Sequence, residues 1–157
     1  MKETTMTRRG MMLGTVALMV LPLRLRAATG PAIHVLKDPN CGCCSGWMEV
    51  LQGEGFAVTS EPSAGTQLFR AKAERGIPQD MTSCHTADIE GYAIEGHVPV
   101  ADIRRLLEER PDAVGLAVPG MPYGSPGMGP ETAREAYDVF LIRRDGTSEV
   151  FTSYPAA

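Results

Sequence analysis

The chain has 157 residues, a length that allows one domain with a proper hydrophobic core. It carries 15 basic and 19 acidic residues, which gives a net charge of −4 at neutral pH. This acidic balance argues against binding to nucleic acid or to anionic membrane surfaces, whereas metal cations remain suitable partners.

Residues 1–28 have the layout of a secretory signal peptide. Basic residues precede an apolar run over residues 10–23, and small residues suited to cleavage follow it. Arg8 and Arg9 also fit a twin-arginine export motif. Because the apolar run is short for a bilayer, an uncleaved anchor is the less favoured interpretation. Cleavage after residue 28 would leave 10 basic and 18 acidic residues, a net charge of −8, and a mature chain with no stable membrane insertion.

The remaining residues, 29–157, are expected to form a single domain. Apolar runs, helical spacing and Gly/Pro stop signals predict the following elements: strands at 33–36 and 56–59, helices at 45–53, 66–75 and 101–110, and hairpins at 82–95 and 137–151. Residues 118–130 are too rich in Gly and Pro for helix or sheet. This order indicates an α/β, thioredoxin-like fold with an added C-terminal Gly/Pro/Met loop and β-hairpin.

Three cysteines, Cys41, Cys43 and Cys44, stand between the first predicted strand and the first predicted helix. A helix N-terminus favours thiolate over thiol, and thiolates either exchange disulfides or bind soft metal ions. Cys41 and Cys44 have the C-x-x-C spacing of a redox dithiol. The third thiol, Cys43, would invite scrambling in such a pair but would help to gather soft ions. The turn therefore predicts either redox or metal chemistry.

The fourth cysteine, Cys84, falls on the predicted third strand, whose start lies opposite the cysteine turn in a thioredoxin-like fold. We therefore expect Cys84 at the same site, although an inert buried cysteine is the alternative. Because adjacent strand residues point to opposite faces, Cys84 is the preferred ligand and His85 is left open as a secondary contact. His97 ends the next strand, where it is either structural or a ligand at the rim of the site.

The Gly/Pro loop contains two methionines, Met121 and Met128. Core packing, the usual reason for a methionine, does not account for them in an irregular loop. Thioethers select Cu(I), so the two are candidate ligands; the alternative is that they hold the loop against the domain. Met48 is expected in the core. Three acidic residues are expected to be exposed to solvent on a hairpin: Asp88, Glu90 and Glu95.

Several blocks of sequence together resemble the CopG-like proteins, small exported bacterial proteins of a family of unknown function linked to copper resistance. The blocks extend across most of the chain, from about residue 33 to residue 151. They are Cys41-Gly42-Cys43-Cys44 with Trp47, Ser83-Cys84-His85-Thr86-Ala87, Gly91-Tyr92, Glu95-Gly96-His97-Val98-Pro99, Gly115 to Pro122, and Gly124 to Met128.

The resemblance implies a periplasmic, thioredoxin-like protein of copper resistance that binds Cu(I) through a polythiolate site. It leaves open whether the protein interconverts Cu(I) and Cu(II) as a copper oxidoreductase. Copper ions and other periplasmic copper-handling proteins are the implied partners. The implied ligands are Cys41, Cys43, Cys44, Cys84, His97, Met121 and Met128.

Two other functions compete with copper binding. The first is a thiol–disulfide oxidoreductase that uses Cys41 and Cys44. Against it stand the extra Cys43 and the lack of a proline next to Cys84, where true thioredoxins have one. The second is a structural protein with two disulfides, which would leave the cysteine turn chemically inert.

Overall fold

The structure, a computed structural model, describes residues 30–157. The signal peptide predicted at residues 1–28 lies outside them. The strands are β1 (Ala32–Lys37), β2 (Ala57–Pro62), β3 (His85–Ile89), β4 (Tyr92–Glu95), β5 (Gly115–Ala117), β6 (Tyr137–Ile142) and β7 (Ser148–Tyr154). The helices are α1 (Gly42–Gly53), α2 (Gly65–Glu74) and α3 (Val100–Glu109), with short 3₁₀ turns at Gln79–Met81 and Glu131–Ala133.

The seven strands form one mixed sheet in the order β2-β1-β3-β4-β5-β6-β7. β1 is parallel to β2 and antiparallel to β3, β3 and β4 form the predicted hairpin, and β4 is parallel to β5. The predicted α/β class is confirmed, as are all three predicted helices. The thioredoxin-like assignment remains a prediction.

Strand β5 was not expected from the sequence. It has only three residues, too few for an apolar alternation to show, and both of its edges are paired, with β4 and with β6. It begins at Gly115, where a methyl group would lie 1.7 Å from the carbonyl oxygen of Ala93. Close backbone approach therefore defines this strand, and β5 joins the C-terminal hairpin to the rest of the sheet.

The central strands are buried on both faces. Neighbouring residues on β4, Ala93 and Ile94, belong to two different apolar clusters. The larger cluster contains Trp47 of α1 and Ile103 of α3, both fully buried. Amphipathic α3 thus packs its apolar side into the core. No helix within residues 30–157 is long and apolar enough to cross a membrane.

A buried carboxylate fastens the C-terminal hairpin to α3. Asp102, in the first turn of α3, is only 3% exposed. It accepts hydrogen bonds from the hydroxyl groups of Thr152 and Tyr154 on β7, the latter at 2.6 Å. Arg105 of the same helix donates to the carbonyl oxygen of Phe151 and lies over its ring. These contacts hold an edge strand that has no fully buried residue of its own.

We predict that Asp102→Ala lowers the free energy of unfolding by at least about 3 kcal/mol, since it removes two hydrogen bonds to a charged group, which contribute about 1.5–3 kcal/mol each. Urea unfolding followed by circular dichroism measures this change. Asp112→Ala is the matched control, because the Asp112 side chain is 85% exposed and pairs with Arg144 at the surface. Equal losses in the two variants would contradict the role assigned to Asp102.

Candidate metal centre

The cysteine turn begins helix α1, as the sequence predicts. Cys41 is the N-cap residue, and its sulfur accepts the backbone N–H of Cys44 at 3.3 Å. Cys41 and Cys44 are joined in a disulfide, and Cys43 keeps a free thiol 3.5 Å from the sulfur of Cys41. Cys44 is fully buried, whereas Cys41 and Cys43 are partly exposed. The turn is thus seen in the oxidised state of its C-x-x-C pair.

The fourth sulfur reaches the same place through the sheet. Cys84 directly precedes β3, which runs antiparallel to β1 with His85 opposite Lys37. The start of β3 therefore lies beside the end of β1, where the cysteine turn follows. The sulfur atoms of all four cysteines lie within 4.8 Å of one another. Sequence reasoning expected this approach; ligation of a metal remains a prediction.

The Cys84 thiol is held in its protonated form in the absence of metal. Burial raises its pKa to about 11, and the neighbouring Cys43 adds to the shift. A metal that binds here must displace the proton, which makes binding pH-dependent.

Two histidines complete the surroundings of Cys84. Its sulfur lies 3.4 Å from Nδ1 of His85 and 3.1 Å from Nε2 of His97. The expectation that Cys84 and His85 face opposite sides is wrong, because the strand begins at His85 and Cys84 lies in the bend before it. Strand alternation therefore does not apply between these two residues.

Both imidazoles are fully buried, and burial lowers the pKa of each. For His85 the neighbouring His97 lowers it further. Trp47 packs against the His85 ring at a centroid distance of 4.4 Å, and its indole N–H donates to the carbonyl oxygen of Val98. Neutral imidazoles have a lone pair available for a metal.

The Gly/Pro loop covers the histidine side of the centre. His97 Nδ1 lies 2.7 Å from the carbonyl oxygen of Pro126, which identifies Nδ1 as the N–H donor and leaves the Nε2 lone pair facing Cys84. The next residue, Gly127, packs on the backbone of Gly46 and Trp47 in α1. The loop thus connects α1 to His97.

The two loop methionines have different surroundings. Met121 is 56% exposed and borders a groove with Pro119 and Pro122, whereas Met128 is partly buried one residue after Gly127. Their role as ligands remains a prediction. Met48 packs against the core as expected.

A buried ion pair holds the segment that carries Cys84. Lys72 of α2 bonds the carboxylate of Glu95 on β4, whose side chain is fully buried. Glu95 Oε1 accepts the N–H of Ser83 at 2.6 Å, and Lys72 Nζ donates to the Ser83 carbonyl oxygen at 3.1 Å. The Ser83 hydroxyl group bonds the carbonyl oxygen of Gly120 in the loop.

The solvated setting expected for Glu95 is therefore wrong. Desolvation by burial raises the pKa of its carboxyl group, and the Lys72 ammonium opposes that shift. The other two acidic residues of the sequence cluster are partnered at the surface: Asp88 by Arg75 and Glu90 by Arg110. Glu95 ends a strand, Tyr-Ala-Ile-Glu, that is buried along its whole length.

Comparisons with known proteins bear on this site. Residues 81–128, which include Cys84, His97 and both loop methionines, match a family described as a protein of unknown function, DUF411. The structure titled "Copper resistance protein copG- Form 1" is 47% identical, with a TM-score of 0.75 over 81% of this chain and 100% of that chain. Its Form 2 counterpart is 47% identical, with a TM-score of 0.74 over 80% and 98%. No curated protein matches this chain.

We predict that Gly127→Ala is more destabilising than Gly146→Ala. Both glycines have a positive φ, +81° and +84°, so each substitution costs about 1–2 kcal/mol of backbone strain. At Gly127 the new methyl group would also lie 2.4 Å from the backbone nitrogen of Trp47, whereas at Gly146 nothing lies within 4 Å. The overlap should add about 1–3 kcal/mol, measured by urea unfolding. Equal costs would mean that the loop does not pack on α1 as described.

Proposed function

Because this chain belongs to the copper-resistance family that includes the copG protein, we propose that it binds Cu(I) through its four cysteines and acts in copper resistance. The observation that carries the proposal is the approach of all four sulfur atoms to within 4.8 Å of one another. With metal–thiolate bonds of about 2.3 Å, two sulfurs that share an ion lie at most about 4.6 Å apart. Small adjustments would let the four sulfurs bridge several ions, and soft thiolates favour Cu(I).

The same centre is suited to interconverting the oxidation states of copper. In the reduced form Cys41 and Cys44 are two free thiols, and in the oxidised form a disulfide joins them. The two forms differ by two electrons. Two thiolates and two Cu(II) ions would therefore give one disulfide and two Cu(I) ions, which balances charge and electrons. Cys43 and Cys84 would remain as thiolate ligands for the Cu(I) produced.

We also propose that the domain is thioredoxin-like and works in the periplasm. The thioredoxin-like fold is supported by the strand order β2-β1-β3-β4, in which β1 and β2 are parallel and the cysteine turn lies between β1 and α1. Export is supported by the signal-peptide layout of residues 1–28. Other copper-handling proteins of that compartment would be its partners.

A thiol–disulfide oxidoreductase is the second candidate function. The disulfide between Cys41 and Cys44, at the N-terminus of α1, is the observation that favours it. This function needs no metal, so it would appear as reduction of protein disulfides by the metal-free dithiol.

We predict that the reduced chain, titrated anaerobically with Cu(I), binds more than one copper per chain and protects all four thiols from alkylation. Cys84→Ser should weaken binding by more than about 100-fold, the upper end of the loss seen for outer-shell partners of metal ligands. Competition with a chromophoric Cu(I) chelator measures both quantities. Weak copper binding, with two thiols that cycle reversibly to a disulfide, would instead establish the oxidoreductase.

We further predict that Met121→Leu and Met128→Leu each weaken Cu(I) binding, since loss of a thioether removes a soft donor. Met48→Leu is the matched control, because the same chemical change occurs in the core on α1. The measurement is the same chelator competition. If all three variants bind Cu(I) equally, the loop methionines are not ligands and serve to hold the loop.

A further inference from the structure

An open groove lies on the sheet beside the Gly/Pro loop. One wall is the loop segment 119–122, and the other is the segment 135–140, where β6 begins. The side chain of Met121, 56% exposed, borders the groove. Glu135 ties the walls together, because its carboxylate accepts the N–H of Tyr123 at 2.9 Å and its own N–H donates to the Tyr123 carbonyl oxygen at 2.9 Å. The groove is therefore a preformed feature of the fold.

The floor of the groove is an apolar part of the sheet. Glu95, Ala117, Phe140 and Val150 are partners in register across β4 to β7, so their side chains share one side of the sheet. This is the side on which Glu95 meets Lys72 of α2. Ala117 is buried, Phe140 is only partly buried, and Val150 is 53% exposed. The cover on this side therefore thins towards β7 and leaves apolar surface of the kind that marks interaction sites.

The groove adjoins the metal centre through Gly120. The Ser83 hydroxyl group donates to the Gly120 carbonyl oxygen, and the Gly120 N–H donates to the Thr82 carbonyl oxygen at 3.3 Å. Cys84 directly follows Ser83, and Met121 directly follows Gly120. Thioethers select Cu(I), so an ion that arrives along the groove meets a soft donor before it reaches the thiolates.

Two carboxylates give the groove a negative rim. Glu135 and Asp138 line it, and within residues 30–157 neither has a salt-bridge partner. The chain as a whole is also acidic, with a net charge of −4. A second copy would bring like charges together, and nucleic acid or an anionic membrane would be repelled. The occupant that fits is a cationic protein segment with soft, apolar side chains.

We propose that this groove is the docking site of a partner that delivers Cu(I) on a segment rich in methionine and in lysine or arginine. The inference rests on the proposed function, since it names the chemistry of the partner that loads the centre. Delivery is a ligand exchange in which no electron is transferred. The bonds from copper to the thioethers of the partner break, bonds to the cysteine thiolates form, and the thiols release their protons to solvent.

Docking is tested with the copper-free full chain and two copper-free synthetic peptides. One peptide alternates methionine with lysine, and its matched control has glutamate in place of every lysine. The lysine peptide should shift the backbone amide NMR signals of Met121 and of residues 135–140, and its affinity should fall with added salt, because the rim charges face solvent. The glutamate peptide should not bind. Equal binding of the two peptides, or shifts confined to other parts of the chain, would overturn the docking site.

Matched variants test which side chains hold the lysine peptide. Asp138→Asn should weaken its binding about two- to fivefold, the loss expected for one exposed ion pair. Glu108→Gln removes an exposed charge on α3 and should have no effect. Val150→Ser should weaken binding at least about twofold through lost apolar contact, whereas Val50→Ser makes the same change on α1 and should not. Equal effects within either pair of variants would contradict binding in the groove.

Delivery is tested by stopped-flow mixing of the Cu(I)-loaded lysine peptide with the reduced chain. Asp138→Asn should slow the transfer about two- to fivefold and leave the equilibrium affinity for Cu(I) unchanged in chelator competition, since Asp138 is not a ligand. An unchanged transfer rate would mean that copper does not enter by the groove. Failure of the proposed function gives a different result, namely no Cu(I) affinity in chelator competition, whatever the copper-free peptides do.

Discussion

The buried ion pair between Lys72 and Glu95 is the constraint on which the centre depends. It binds the N–H and the carbonyl group of Ser83, so the residue before Cys84 is fixed by a helix and a strand at once. Ser83 is in turn bridged to Gly120, where the Gly/Pro loop begins. One charged pair therefore sets the position of the fourth thiol and of the loop that covers the site. Its desolvation is compensated by these hydrogen bonds to the backbone.

Burial keeps three titratable groups around the Cys84 sulfur uncharged in the metal-free protein. The pKa values of His85 and His97 are lowered and that of Cys84 is raised, so all three are neutral at pH 7. A copper ion would supply the charge that favours the thiolate, and the lone pairs of the imidazoles are already available to it. The architecture thus favours a cation without holding a negative charge in the absence of one.

Local sequence signals were sufficient for about half of the centre. The spacing of Cys41, Cys43 and Cys44 predicted their place at a helix start, and the α/β order predicted the approach of Cys84. The role of Glu95 could not be read from the sequence, because its partner Lys72 lies 23 residues away on another element. His85 was ranked below Cys84 and left open as a secondary contact, because the predicted strand began at residue 82, whereas β3 begins at His85. Strand β5 depends on the close approach of its backbone to that of β4, and the pattern of side chains in the sequence does not indicate such an approach.

Trp47 has a consequence for how the molecule can be observed. It is the single tryptophan of the chain, and its ring lies 4.4 Å from the ring of His85. The indole is fully buried, so its emission reports a dry environment that bulk solvent changes do not reach. A paramagnetic ion bound beside His85 would quench that emission at close range. The fold therefore contains an intrinsic optical reporter of occupancy, which is usable without any label.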